Sequence, residues 1–276
     1  MDIFPPESSK VNIYMKTFRR GLTMAEKLLN CRQKRPSAKY VLVCFPWAGG
    51  GSNWYGRWAQ LLPETIEVCA IRLPGRENRF QEPCYKDPDT YIQDVTAAVY
   101  KYVSAHGTAL AIWGHSLGSY MGYEVAKQLQ EKHGLDPVHL FFSGASAPHS
   151  EKRKLNQVKT AGMSDEEFVE NMRRLGGTPR EILDDKEMMK LFLPSLRADF
   201  CILENYWSSY DKTQVKPFSC PISVFDGSED RPHDLEAWSD LSDGPFHKMM
   251  LKGGHFYLIE EANTRTITEY IAANLT

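Results

Sequence analysis

Residues Ala111–Tyr123 read AIWGHSLGSYMGY: a short apolar run, a serine with a glycine two places to either side, then small and apolar residues at helical spacing. Gly114-His115-Ser116-Leu117-Gly118 fits G-x-S-x-G, a sharp strand-to-helix turn that lifts a serine hydroxyl clear of the backbone. Glycine is needed at both ends, because a Cβ there would collide across the turn. The flanks agree. Thr108–Trp113 has the length and character of a buried strand, and Gly118–Lys132 places Tyr120, Val125 and Leu129 on one helical face with charges opposite. A helix starting at the serine aims free N–H groups and a positive dipole end at it, which favours developing negative charge. The stretch is therefore expected to present Ser116 as a nucleophile, rather than to form a plain glycine-rich turn.

Working outward, strand-like and helix-like segments alternate from about Lys39. Tyr40–Phe45 is a continuous apolar run, as in a strand buried on both faces. A loop PWAGGGSN and a helical stretch Trp54–Leu62 follow, then strand Ile66–Leu73 and helix Asp89–Val103. Val138–Ala145 is a further strand. The rhythm breaks over 148–212, where no strand is expected and Ser164-Asp165-Glu166-Glu167 opens a helix as a capping box. It resumes at Ile222–Phe225, Asp234–Leu241, Lys248–Leu251 and Asn263–Leu275. This alternation implies an α/β fold, a mostly parallel sheet with helices on both faces. The 148–212 segment reads as a helical insertion over the carboxyl ends of the strands, where open sheets bind ligands.

A serine is a weak nucleophile without a base and a group that orients the base. In this fold the order along the chain is serine, acid, histidine. His255, in KGGHFYLIE, lies on the loop after the last strand and is the expected base. His115 adjoins Ser116 along the backbone and points elsewhere; His139 is a structural residue of a strand. His106, His133, His149, His233 and His247 read as solvent-exposed. For the acid, ISVFDGSEDRPHD offers four carboxylates. Asp226 suits a turn with Gly227 and Asp234 a helix cap, which leaves Asp230, with Glu229 second. The oxyanion donors are expected from the Leu117 amide and from the Trp47 or Ala48 amide in FPWAGGG. That loop lacks G-x-G-x-x-G and G-x-x-x-x-G-K-[ST], so no nucleotide site is indicated.

The 276 residues carry 33 basic and 35 acidic side chains, a net charge of −2, which argues against a nucleic-acid partner. No apolar run reaches a membrane span of about 20 residues. Six cysteines occur without a C-x-x-C pair, so neither a metal site nor a disulfide framework is expected. Cys44 and Cys69 read as small buried hydrophobes, which points to a reducing, cytosolic compartment. Residues 15–35 are locally basic (Lys16, Arg19, Arg20, Lys27) and read as a mobile arm or a short surface helix.

Taken in order, CFPWAGGGSNWYGRW, IRLPGRENR, WGHSLGSYMGYEVA, LFFSGASAPH, LRADF and GGHFYLIE resemble the stand-alone (type II) thioesterases of the α/β-hydrolase fold, most of all the animal medium-chain fatty acid synthase thioesterases. The resemblance covers Lys39 to the C-terminus and leaves 1–38 as an N-terminal extension to a 39–276 hydrolase domain. It implies hydrolysis of acyl groups from the phosphopantetheine thiol of an acyl carrier protein, without a cofactor or metal. It also implies a triad of Ser116, Asp230 and His255 and a lid matching 148–212. Within that lid, Phe168, Met172, Leu175, Ile182, Leu183, Met188, Met189, Leu191, Phe192 and Leu196 are expected to supply the apolar lining an acyl chain needs, Leu175, Met188, Met189 and Phe192 foremost, while most single positions pack the lid helices on the sheet. Arg197 and Asp199 are expected to pair with each other. The other readings are an editing thioesterase of a polyketide or peptide assembly line, a soluble carboxylesterase or lipase, and a non-catalytic binding protein on the same scaffold.

Overall fold

The computed structural model describes residues 24–155, 157, 159–175 and 183–275. Among them seven strands form one sheet: β1 (Leu29–Asn30), β2 (Tyr40–Phe45), β3 (Ile66–Ile71), β4 (Ala109–His115), β5 (His139–Ser143), β6 (Ile222–Gly227) and β7 (Phe246–Leu251). Their order is β1-β3-β2-β4-β5-β6-β7, parallel throughout except for antiparallel β1. Side chains alternate between two cores. Val41, Val43, Phe45, Ile112 and Phe142 pack on one face, while Leu42, Cys44, Ala111, Trp113 and Phe141 pack on the other. The expected α/β-hydrolase architecture is present.

Helices cover both faces. On the first lie α1 (Met24–Leu28), α3 (Pro88–His106) and α4 (Leu117–His133); on the second lie α2 (Ser52–Tyr55) and α8 (Glu261–Leu275). The start of α3 is fixed by the Asp87 carboxylate, which accepts the Thr90 amide at 2.8 Å, and by Pro88 in its first turn. Between β5 and β6 come α5 (Glu151–Leu155), α6 (Asp165–Leu175) and α7 (Lys186–Asn205). The capping box forms: the Ser164 amide donates to Glu167 at 2.7 Å, and the Glu167 amide to the Ser164 hydroxyl at 3.2 Å. The Trp54–Leu62 stretch divides into α2 and a 3-10 turn at Gly56–Gln60, and Asp234–Leu241 is a 3-10 turn at Glu236–Leu241.

Two expectations are corrected here. Cys69 is not an isolated thiol: its Sγ is bonded to that of Cys31, beyond β1. Sequence spacing carries no sign of this, because the two residues meet only when β1 pairs with β3, and cysteine usage then no longer marks a reducing compartment. Within 15–35, residues 15–23 lie outside the described residues. The short helix expected as one alternative is present as residues Met24–Leu28, but Leu28 and Leu29 are buried against the sheet rather than on a free arm or a surface.

The strand order reverses between β2 and β4, since the chain runs from β2 to β3 on one side and returns to β4 on the other. Such a switch point opens a crevice at the carboxyl ends of the two strands. The loop after β2 and the turn after β4 flank it.

Candidate active site

Ser116 sits at that turn in a backbone conformation that few non-glycine residues adopt, with φ 56° and ψ −117°. This costs about 1–3 kcal/mol and persists because the surroundings dictate it. A Cβ on Gly114 would lie 2.2 Å from the Gly118 carbonyl oxygen, and one on Gly118 would lie 2.1 Å from the Phe45 carbonyl oxygen. The Ser116 amide donates to the Ser143 carbonyl at 2.8 Å, and the Ser119 hydroxyl ties Gly114 to β5. No side chain caps α4, so its first amides, Leu117 foremost, point into the crevice.

His255 Nε2 lies 3.0 Å from Ser116 Oγ, and its Nδ1 lies 2.7 Å from Asp230 Oδ2. The structure thus brings together Ser116, His255 and Asp230, from three separate loops, in hydrogen-bonding sequence. Those loops are laced to one another. The Glu229 amide donates to the Gly253 carbonyl at 2.9 Å, and a Cβ on Gly227 would lie 2.4 Å from the same oxygen. Glu229 itself is exposed. Burial pushes the Asp230 carboxyl up, but the His255 hydrogen bond and the nearby imidazoles outweigh it and hold the group below its ordinary value.

His115 and His139 are placed as expected. His115 is buried beneath His255 and joins the Ser143 hydroxyl through Nδ1 at 2.8 Å. Burial, then the charges of His255 and His233, keep it neutral, well below its usual range. His139 joins Ser223 at 2.8 Å, and burial brings it down to about 4. Two histidines depart from the exposed reading. The His149 side chain is buried against Asp240, and that of His233 is only 4 % exposed. His233 Nδ1 lies 2.9 Å from Asp226 and 3.8 Å from Asp230, so Asp226 both closes its turn with Gly227 and supports this ring. Asp230, His233 and His255 could together reach one metal ion. Each already has a hydrogen-bond partner among the side chains of the site.

On the other wall, the loop after β2 turns at Trp47, whose carbonyl accepts the Gly50 amide at 2.8 Å. The Gly49 amide donates to Asp199 at 2.7 Å. With both of those amides engaged, Trp47 and Ala48 are left as the candidate oxyanion donors across from Leu117. Asp199 does not pair with Arg197 as expected. It holds Arg76 through two 2.8 Å bonds, and Arg197 reaches Asp165 at 2.9 Å instead. Residues 197 and 199 sit on different faces of α7, which separates them despite their nearness in sequence.

The crevice continues into a cavity lined by Ser116, Trp47, Ala48, Asp230, His233 and His255 at one end. Its apolar wall is Tyr120, Met172, Leu196, Phe200, Leu203 and Phe256, and Ser146, Arg153, Gln157 and Arg231 add polar groups. Of the acyl-wall residues expected from sequence, Met172 and Leu196 line this cavity and the other described ones do not. Met188 and Phe192 face outward at 38 % and 37 % exposure, and Met189 packs with Phe168, Leu183 and Leu193 inside the helical cover. Ile182 and the Leu175 side chain lie outside the described residues. Arg153, buried and stacked on Tyr120 at 4.4 Å, could not be singled out within the charged run HSEKRK.

A family profile described as thioesterase domain matches residues 41–275. The chain is 39% identical over 248 residues to the medium-chain S-acyl fatty acid synthase thioesterase of Rattus norvegicus, covering 90% of this chain and 92% of that one. It is 38% identical over 228 residues to the gramicidin S biosynthesis protein GrsT of Aneurinibacillus migulanus, covering 81% and 85%. Among solved structures, the type II thioesterase BorB from the borrelidin biosynthetic cluster superposes with a TM-score of 0.74 at 30% identity, covering 92% of this chain and 100% of that one. Among the described residues, no helix is long and apolar enough to cross a membrane.

Proposed function

The chain belongs to the thioesterase domain family, and from that premise we propose that it is a serine hydrolase releasing acyl groups from the phosphopantetheine thioester of a carrier-protein domain. The substrate we assign is a medium- to long-chain fatty acyl group on fatty acid synthase. One observation carries this reading: the Ser116–His255–Asp230 series opens into a cavity also lined by the apolar side chains of Met172, Leu196, Phe200 and Leu203.

In the first half-reaction, His255 Nε2 takes the Ser116 proton as Oγ bonds to the thioester carbonyl carbon. The carbonyl pair moves onto oxygen, which the Leu117 amide and the Trp47 or Ala48 amide receive. Collapse breaks the carbon–sulfur bond, and the thiolate leaves with the proton returned by His255. Water then repeats the sequence on the acyl-serine and frees the acid. Asp230, ionised throughout, holds the Nδ1 proton and stabilises the imidazolium.

A second reading is supported by the polar groups Arg153, Gln157 and Arg231 within the cavity and by the likeness to GrsT and BorB. In this reading the enzyme clears oxygenated acyl groups from a polyketide or peptide assembly line. Comparing kcat/KM for one acyl chain on carrier protein, on coenzyme A and as a simple ester tests the proposal. The carrier-bound chain is expected to lead by at least about tenfold. Preference for the simple ester would make the protein a carboxylesterase. Faster turnover of a β-hydroxyacyl carrier than of its saturated counterpart would favour the second reading.

A further inference from the structure

The loop expected to supply the second oxyanion amide is held from outside by a buried ion pair. Asp199 is 1 % exposed and Arg76 8 %. The guanidinium grips the carboxylate by two parallel hydrogen bonds, both 2.8 Å, and also donates to the Gly50 carbonyl at 2.9 Å. The same carboxylate accepts the Gly49 amide at 2.7 Å. Gly49 has φ +75°, and a Cβ there would stand 2.8 Å from Leu196 Cδ1. Asp199 and Leu196 are three residues apart on α7, so one helical face supplies both the clamp and part of the cavity wall. Past the glycines, Glu77 accepts the Asn53 amide at 2.8 Å and the Ser52 hydroxyl at 2.5 Å, itself in a left-handed conformation with φ 52°. Two strained positions thus flank the serine crevice: Ser116, which reacts, and Glu77, which braces the opposing loop.

We propose that Asp199 is a positioning residue for the oxyanion hole, acting through Arg76, Gly49 and Gly50 on the Trp47 and Ala48 amides. α7 is thereby divided at Pro194. Before the proline it packs within the helical cover through Met189 and Leu193, with Leu191 and Phe192 exposed; after it, Leu196, Phe200 and Leu203 line the cavity and Asp199 holds the loop. A donor that must meet charge appearing only in the transition state gains from being held rigidly, because no reorganisation is then needed during reaction. A clamp of this kind acts on kcat and leaves ground-state binding of the acyl chain alone.

The inference rests on the thioesterase reading, so wild type is assayed first on an acyl thioester of N-acetylcysteamine. An inactive wild type would overturn both. Asp199→Asn preserves volume but sets an amide against Arg76. It is expected to lower kcat about ten- to a hundredfold with KM within about twofold, less than the loss of an oxyanion donor outright. Affinity for an acyl trifluoromethyl ketone, whose carbonyl adds Ser116 and places its oxygen in the hole, is expected to fall by the same factor. Asp165→Asn, which breaks another ion pair of α7 without touching the loop, is expected to leave both unchanged. Should Asp199→Asn not fold, Arg76→Lys, which keeps the charge and loses the fork, is read in the same two assays. A raised KM at constant kcat, or unchanged kinetics with only a lowered Tm, would reduce Asp199 to a packing anchor and overturn the inference.

Discussion

The strand ends beneath Ser116 and the helices above it are held in different ways. Below, β4 and β5 are almost wholly buried, and the Ser143 residue alone engages Ser116, Ser119, His115 and Tyr257. Above, α6 and α7 share a small core of Phe168, Met172, Leu183, Met189, Leu193 and Leu196, while Met188, Leu191 and Phe192 stay exposed. Their mutual tie, Arg197 to Asp165, is at the surface, where an ion pair contributes about 0–1 kcal/mol. A framework with many cooperating constraints suits a reaction whose geometry tolerates little error. A cover with few constraints suits chains of varied length. On this account the platform sets the chemistry and the cover sets the choice of acyl group.

The largest effect belongs to the platform. Asp230→Asn is expected to lower kcat by about a thousand- to ten-thousandfold, because an amide favours the wrong imidazole tautomer. Glu229→Gln, one residue away but exposed, is expected to stay within about twofold in the same assay. Greater damage from Glu229→Gln would reassign the acid. A change in the cover has a different signature. Met172→Trp narrows the cavity from α6, and kcat/KM for long chains is expected to fall about ten- to a thousandfold relative to short ones, at about 0.8 kcal/mol per excluded methylene. An equal fall at every length would mean that α6 contributes packing only.

A smaller effect sharpens the contrast in stability. His139 and His115 are buried in the platform as neutral rings, with folded values below the unfolded value of about 6.5. The unfolded chain therefore binds the extra protons. Their contribution is complete above that pH and is lost as pH falls towards 4, the value His139 takes in the fold. Thermal unfolding from pH 7 to pH 4 is expected to show Tm falling over this window, with a shallower fall in His139→Gln. An unchanged slope in that variant would remove His139 from the account.

What could be read from sequence divides along the same line. Platform features are local: the glycines about Ser116, the strand ahead of it and the loop position of His255 each follow from a few consecutive residues. Asp230 could be chosen over Asp226 and Asp234 because each of those has a local task, and Asp226 does meet the Gly227 amide while Asp234 meets Ala237. Cover features depend on which helical face turns inward, and Met188 and Phe192 fell on the wrong side. The Arg76–Asp199 pair spans 123 residues, His233 sits in a polar run, and Cys31 meets Cys69 only through strand pairing. Tertiary packing alone creates these three.

The most direct test of the central claim is to titrate the protein with a fluorophosphonate and map the adduct by mass while following hydrolysis of an acyl-carrier thioester. One adduct on Ser116, with activity falling in proportion to labelling and no label in Ser116→Ala, is the predicted result. Labelling elsewhere, or hydrolysis that persists with Ser116 fully modified, would contradict it.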